Sequence, residues 1–177
     1  MMGISTRTGS VPRHKKDPIY HFLVAWYRSG VESAQLANAL LIQTGGTMNI
    51  RTLQRGLKYC GRVKAVRQTY HVFEAQRYFF VLSFALSKAR RSSGYFNVID
   101  TAAVDYAQRR VGGTRGVTAK DLVAAARRTQ HIPTTLAALN VLYILVALRS
   151  ASIVRAGKHR QLFFSVKKGP AARTSAK

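Results

Sequence analysis

Apolar residues recur along this chain in two rhythms, and the rhythm changes mark its elements. After Asp17-Pro18, an N-cap residue followed by a proline preorganised for the first helical position, Ile19, Phe22, Leu23, Trp26 and Tyr27 fall at helical spacing. A first helix is expected there, ending at Ser29-Gly30. Residues 33–42 fit a short helix or a buried strand, because periodicity does not separate the two in so short a run. The turn Gln43-Thr44-Gly45-Gly46-Thr47 leads to a second expected helix over about Asn49–Cys60, with Ile50, Leu53 and Leu57 inward and Gly61 as its stop. Arg51, Arg55, Lys58 and Arg62 lie on or beside its other face.

Val63–Gln68 and Arg77–Phe84 read as strands, rich in β-branched and aromatic residues, with His71 and Glu74 in the linker between them. Lys88–Gly94 is a basic polar hinge, Tyr95–Ala103 a further strand, and Arg109–Gly116 a glycine-rich basic loop. Thr118 and Asp121 open a helix running to about Arg128 with a capping-box-like start. The longest apolar run, Leu136–Leu148, is 13 residues with Asn140 inside it. It falls short of the roughly 18 residues of a membrane-spanning helix and reads as buried core. A small polar patch, Arg149-Ser150-Ala151-Ser152, follows, then the basic stretch Arg155–Arg160 and a closing apolar strand to Val166.

These elements predict an α+β protein of two small domains. In the N-terminal one (17–90) helices pack on a short sheet. The C-terminal one (94–168) is mostly β with helical insertions. A basic arm (1–16) and a basic tail (169–177) flank them. The arm carries Arg7, Arg13, Lys15 and Lys16 and no acid, a composition that suits both an extended RNA-binding arm and an organelle presequence.

Charge changes the picture most. With 29 Lys and Arg against 6 Asp and Glu, the formal net charge is +23. Self-repulsion on that scale disfavours a compact free chain and is relieved by a polyanion; nucleic acid also repays each phosphate contact with released counterions. An anionic membrane surface is the rival partner, but no long amphipathic basic helix supports it. The single cysteine, Cys60, excludes an intrachain disulfide framework and a thiolate zinc site, and reads as a small core residue.

Catalytic chemistry has little to stand on. Asp17 and Asp121 have capping explanations, and Asp100 and Asp105 form a loose pair with no neighbouring histidine. His14, His21, His71, His131 and His159 do not fall in a metal-ligand spacing, and neither a phosphate-binding glycine-lysine loop nor a nucleophile elbow occurs. A non-enzymatic role without metal, cofactor or small-molecule substrate is expected.

The chain resembles the small-subunit ribosomal protein eight family, a universal rRNA-binding family. Asp17-Pro18-Ile19 with Phe22-Leu23 is similar to the family's opening helix. Leu53 and Leu57 leading into Gly61-Arg62-Val63 is similar to the end of its second helix, after which two strands follow. Ile132-Pro133, Leu136, Leu139 and Ser150-Ala151-Ser152 resemble the family's Pro, leucine and Ser-Thr-Ser segment, and Gly157 with Leu162–Val166 its closing strand. The likeness spans about residues 17–166 and is carried by the shared order of individually weak motifs. The chain departs at Ala25–Arg28, where the family's basic residues are largely missing. It departs again at Arg110–Arg115, two residues shorter than the family's Ser-Arg-Pro-Gly segment, where Lys120-Asp121-Leu122 offers a competing register. A third departure is the shortened stretch after the serines.

The resemblance implies a structural protein of the small ribosomal subunit that binds its rRNA beside neighbouring ribosomal proteins. The N-terminal composition and sequence drift point to a mitochondrial ribosome. The expected RNA contacts are Arg149, Ser150, Ser152, Arg155, Lys158, His159 and Arg160, with Arg110 and Arg115 from the glycine-rich loop and Arg13, Lys15 and Lys16 from the arm. Small hydroxyl side chains allow the close approach to sugars and phosphates that RNA duplexes demand. A tandem winged-helix DNA-binding protein is the competing expectation. Residues 33–83 and 118–167 look faintly repeated, each ending in a basic linker and a strand, RYFFVLS beside RQLFFSV. The apolar character of 134–149 weighs against a recognition helix there.

Overall fold

The computed structural model describes residues 44–46, 56–65, 68–83, 95–126, 131–156 and 161–169. The arm, the helix expected from Asp17, the short helix or buried strand of residues 33–42, most of the helix expected from Asn49, the hinge Lys88–Gly94 and the far tail lie outside the described residues.

The fold is α+β. A four-stranded antiparallel meander, β1 (Lys58–Ala65), β2 (Gln68–Ala75), β3 (Tyr78–Ser83) and β4 (Tyr95–Asp100), is followed by three helices, α1 (Thr101–Val111), α2 (Ala119–Ala126) and α3 (Thr135–Ala147), and a hairpin, β5 (Ala151–Ala156) and β6 (Leu162–Val166). Register places Val63, Tyr70, Val72, Phe79, Val81 and Ile99 on one face of the sheet, and these join α3 in the main core. On the other face Phe73, Ala75, Tyr78, Phe80 and Leu82 are also buried, and the Tyr78 hydroxyl donates to the Thr44 carbonyl at 3.2 Å. Burial on both faces explains why β3 is an unbroken apolar run, Tyr-Phe-Phe-Val-Leu, rather than an alternating one.

α3 is the centre of this arrangement. Eight of its 13 residues are buried, around almost the whole circumference. Tyr143 stacks on Tyr70 of β2, ring centroids 4.4 Å apart, and meets Phe164 of β6 edge-on at 6.2 Å. Buried Asn140 turns its amide back on its own helix, donating to the Leu136 carbonyl at 2.9 Å. The helix starts at Thr134, whose hydroxyl accepts from the Ala137 amide. The expected capping box is present at α2: the Asp121 carboxylate accepts from the Thr118 amide, and Thr118 Oγ1 from the Asp121 amide.

Several expectations are corrected. The second helix does not reach Cys60; Lys58–Cys60 already belong to β1, and Gly61 sits inside the strand at a bulge. The segment of His71 and Glu74 is not a linker but β2: Tyr70 and Val72 serve the α3 side while Phe73 and Ala75 serve the other, an alternation hidden by the polar residues between them. The strand from Tyr95 stops at Asp100, because the Asp100 carboxylate caps α1, accepting from the Ala102 amide while pairing with Arg77 at 3.1 Å. Arg109–Val111 are the last turn of α1 rather than loop; Ala103, Val104, Ala107 and Val111 form its buried stripe. The part of the chain after β4 is thus mainly helical, not mostly β. Cys60 is half-buried against the core rather than wholly inside it.

Gly61 carries φ of 155°, a conformation that side-chain-bearing residues rarely adopt, and a Cβ there would stand 3.1 Å from the Ala147 carbonyl oxygen, so a side chain would need the end of α3 to give by a few tenths of an ångström. Gly61→Ala is expected to cost about 1–3 kcal/mol in urea unfolding; an unchanged midpoint removes this close approach from the account. Burial and the nearby Glu74 carboxylate push the Cys60 thiol up from 9.0 to about 11. At pH 8 the thiolate fraction is then about 100-fold below that of the unfolded chain, so iodoacetamide is expected to label Cys60 about 100-fold more slowly before unfolding than after it.

Candidate nucleic-acid interface

The residues between α1 and α2 fold back along β6. Gly113 donates to the Val166 carbonyl at 2.8 Å, Val166 to Thr114 at 3.0 Å, and Val117 and Phe164 exchange both bonds at 2.9 and 2.8 Å. β6 is therefore flanked on one edge by Gly113–Val117 and on the other by β5, in the register Ala151↔Val166, Ser152↔Ser165, Ile153↔Phe164. Alternation along this three-stranded strip turns Val117, Ala151, Phe164 and Val166 into the core. Ser152 stands exposed on the outer side, with half-exposed Ser165 beside it. Adjacent strands lie about 4.8 Å apart, so Arg115 and Ser152 are anchored roughly 10 Å from each other across β6.

Glycine makes the strip possible at three positions. Gly112 caps α1 where a Cβ would clash with the Gln108 carbonyl oxygen and stand 3.2 Å from the Lys167 carbonyl oxygen, so none fits. Gly113 and Gly116, at φ of 83° and 76°, supply the left-handed turns that bring the chain round.

The end of α3 supplies the remaining side chains. Arg149 donates its amide to Val146 O at 3.0 Å and Ser150 to Leu145 O at 2.8 Å, with Arg149 at φ of 61°. This is the double-bonded αL helix ending in which glycine is the usual occupant. A cation stands there instead, and the Ser150 carbonyl accepts from the Lys167 amide at 2.9 Å, tying the helix end to the strip. Ser150 and Ser152 therefore do not form a loop: one belongs to a helix cap and the other to a strand.

Of the expected contacts, Arg149, Ser150, Ser152, Arg110 and Arg115 come together at this end of the protein. Arg155 follows the β5 bulge on the same hairpin. Lys158, His159, Arg160, Arg13, Lys15 and Lys16 lie outside the described residues. The fold adds Arg109, Ser165, Lys167 and Lys168. Arg109, Arg110, Arg115, Arg149, Lys167 and Lys168 are all exposed, and residues 122–177 contain ten Lys and Arg and no acid. The sequence signals for the additions were the Lys-Lys pair after an apolar strand and the polar position in Leu-Phe-Phe-Ser-Val. Arg109 and Arg110 also complement the dipole at the end of α1, which suffices as a structural role for one of them.

Chemically the strip offers hydrogen-bonding hydroxyls on a face ringed by cations. Among the described residues no group of three or more His, Cys, Asp or Glu side chains is placed to hold a metal ion, and no helix is long and apolar enough to cross a membrane. Compared with known protein families, curated proteins and solved structures, the chain matches none.

A non-glycine residue in the left-handed region costs about 1–2 kcal/mol, partly offset in glycine by greater chain entropy. Arg149→Gly is accordingly expected to leave stability unchanged or raise it by up to about 1 kcal/mol. A drop in the urea midpoint instead assigns the Arg149 side chain to the fold.

Proposed function

We propose that the protein is a structural RNA-binding subunit of a ribonucleoprotein, and that the ribonucleoprotein is the small subunit of a mitochondrial ribosome. The observation that carries the RNA reading is the strip itself: Ser152 and Ser165 on one outward face, bordered by Arg110, Arg115, Arg149 and Lys167, with no carboxylate in the strip to balance them. RNA duplexes are gripped through phosphates and 2′-hydroxyls on a shallow groove, and a flat hydroxyl face ringed by cations suits both. The resemblance described above supports the ribosomal part; the four-stranded meander stands where the resemblance implies two strands. The mainly helical segment after β4 departs from it. The division into an N-terminal and a C-terminal domain around residues 88–94 belongs to the same proposal.

One observation favours the second reading. From Thr101 the order is helix, short bridge at Val117, two helices and a hairpin whose second strand pairs with that bridge, which is the order of a winged helix. In such a fold the helix before the hairpin reads the major groove. Here that helix is α3, and Val141–Leu145 are buried against the sheet and hairpin, so only its first turn, Thr135 and Leu136, stands exposed. The winged-helix order accordingly supports backbone contact through the hairpin rather than base readout through the helix.

The full chain carrying Ser150→Leu and Ser152→Leu is expected to keep its circular dichroism and melting temperature, since both backbone positions retain their bonds. It is expected to lose co-migration with small ribosomal subunits on high-salt sucrose gradients. A double variant that still co-migrates rejects these serines, and a wild-type chain that sediments alone or with DNA rejects the ribosomal reading.

A further inference from the structure

β6 is bonded on both of its edges, to β5 and to Gly113–Val117, so the remaining edge of the strip is the outer side of β5. The phase of the bonds fixes what that edge presents. Phe164 and Val166 exchange their backbone bonds with Val117, Thr114 and Gly113, so Ser165 and Lys167 turn theirs toward β5, where the Lys167 amide meets the Ser150 carbonyl. In the register Ser152↔Ser165 the Ser152 amide and carbonyl therefore face β6, and those of Ala151 and Ile153 face the open side. Among the described residues no backbone group bonds to these amides and carbonyls, and β5 pairs with no strand but β6.

A short edge ended by a bulge, as this one is between Ile153 and Arg155, is one ordinary way to discourage pairing. Two features go beyond it. The edge itself, Ala151-Ser152-Ile153-Val154, carries no charge in a chain of net charge +23. Leu148 and Val154, two of the three large apolar side chains exposed among the described residues, stand at its two ends, 39% and 54% exposed. The edge also selects among occupants. Alternating N–H donors and C=O acceptors match a peptide strand, whereas the phosphates of an RNA would face two carbonyls. A second copy paired antiparallel about Ser152 would set Arg149 of each copy opposite Arg155 of the other, and like charges directly opposite are destabilising. The arm (1–16) and the residues 170–177 hold cations and no acid, so they too bring like charge to Arg149.

We propose that the outer edge of β5 docks an extended segment of a different protein by strand addition, a segment apolar at its centre with carboxylates toward Arg149 and Arg155. Its main chain bonds to Ala151 and Ile153, and its apolar side chains cover Leu148 and Val154. In recognition of this kind the main-chain bonds supply affinity and side chains at alternate positions supply specificity. The edge borders the serine face without being part of it, so this contact goes beyond the RNA reading and stands or falls separately from it.

The test is amide hydrogen exchange of the full chain, read by NMR, during titration with a short synthetic peptide that alternates Val and Thr and is closed at each end by Glu. At about ten times its Kd the peptide is expected to slow exchange at Ala151 and Ile153 about 10-fold. Ser152 is expected to stay unchanged, since its amide faces β6. Closing the peptide with Lys instead of Glu is expected to abolish the effect. Ile153→Pro removes an amide on the open side only, so it is expected to keep the β5–β6 ladder and lose the slowing at Ala151. Ile153→Ala gives up the same packing but keeps the amide, and is expected to retain the slowing. No slowing in the wild-type chain overturns the proposal, as does equal slowing by the Lys-ended peptide or in Ile153→Pro. Slowing at these amides that grows with protein concentration alone gives the edge to a second copy, and slowing by an RNA stem-loop alone gives it to RNA; either outcome also overturns it.

Discussion

Everything in the described structure leans on α3 being apolar on nearly every side. A helix of that kind has no solvent face to offer, so it is stable only if other elements enclose it. The four-stranded meander does so through Tyr70 against Tyr143, the β5–β6 hairpin through Phe164 against the same ring, and α1 and α2 through the rest of one continuous core. Tyr143 is thus the point where the two sheets communicate.

Enclosure of α3 decides where function can lie. A chain with net charge +23 has to place its cations on the periphery. At its C-terminal end the helix finishes in a left-handed Arg149, the α1–α2 connection folds along β6 and the lysines after β6 emerge. The strip is therefore a by-product of closing the core, with hydroxyls on its outer side because the pleat had already committed Phe164, Val166 and Ala151 to the inside.

Much of this was legible in the sequence where a local rule operates. The capping box of Thr118 and Asp121, the strand around Phe79–Leu82 and the core character of Leu136–Leu148 each follow from a few adjacent residues and were read correctly. The misreadings share a cause. His71 and Glu74 made β2 look like a linker because that strand is buried on both faces only between them. Asp100 looked like one of a loose acidic pair because its partner, the end of a helix, was read as strand. Arg109 and Arg110 looked like loop because the buried stripe of α1 is built largely from alanine, whose signal is weak.

The sequence by itself determined the charge, and with it the class of partner proposed, together with the central apolar helix and the serines and arginines beside it. Those properties are compositional or local, and no folding can undo them. Only the tertiary structure decided that Gly113–Val117 pairs with β6 and that Arg109, Ser165, Lys167 and Lys168 join Arg149 and Ser152. The first depends on hydrogen bonds between segments roughly 50 residues apart and the second on those together with the β5–β6 pairing and the Lys167–Ser150 bond, and such pairings are selected by burial of the whole core rather than by any stretch of neighbouring residues.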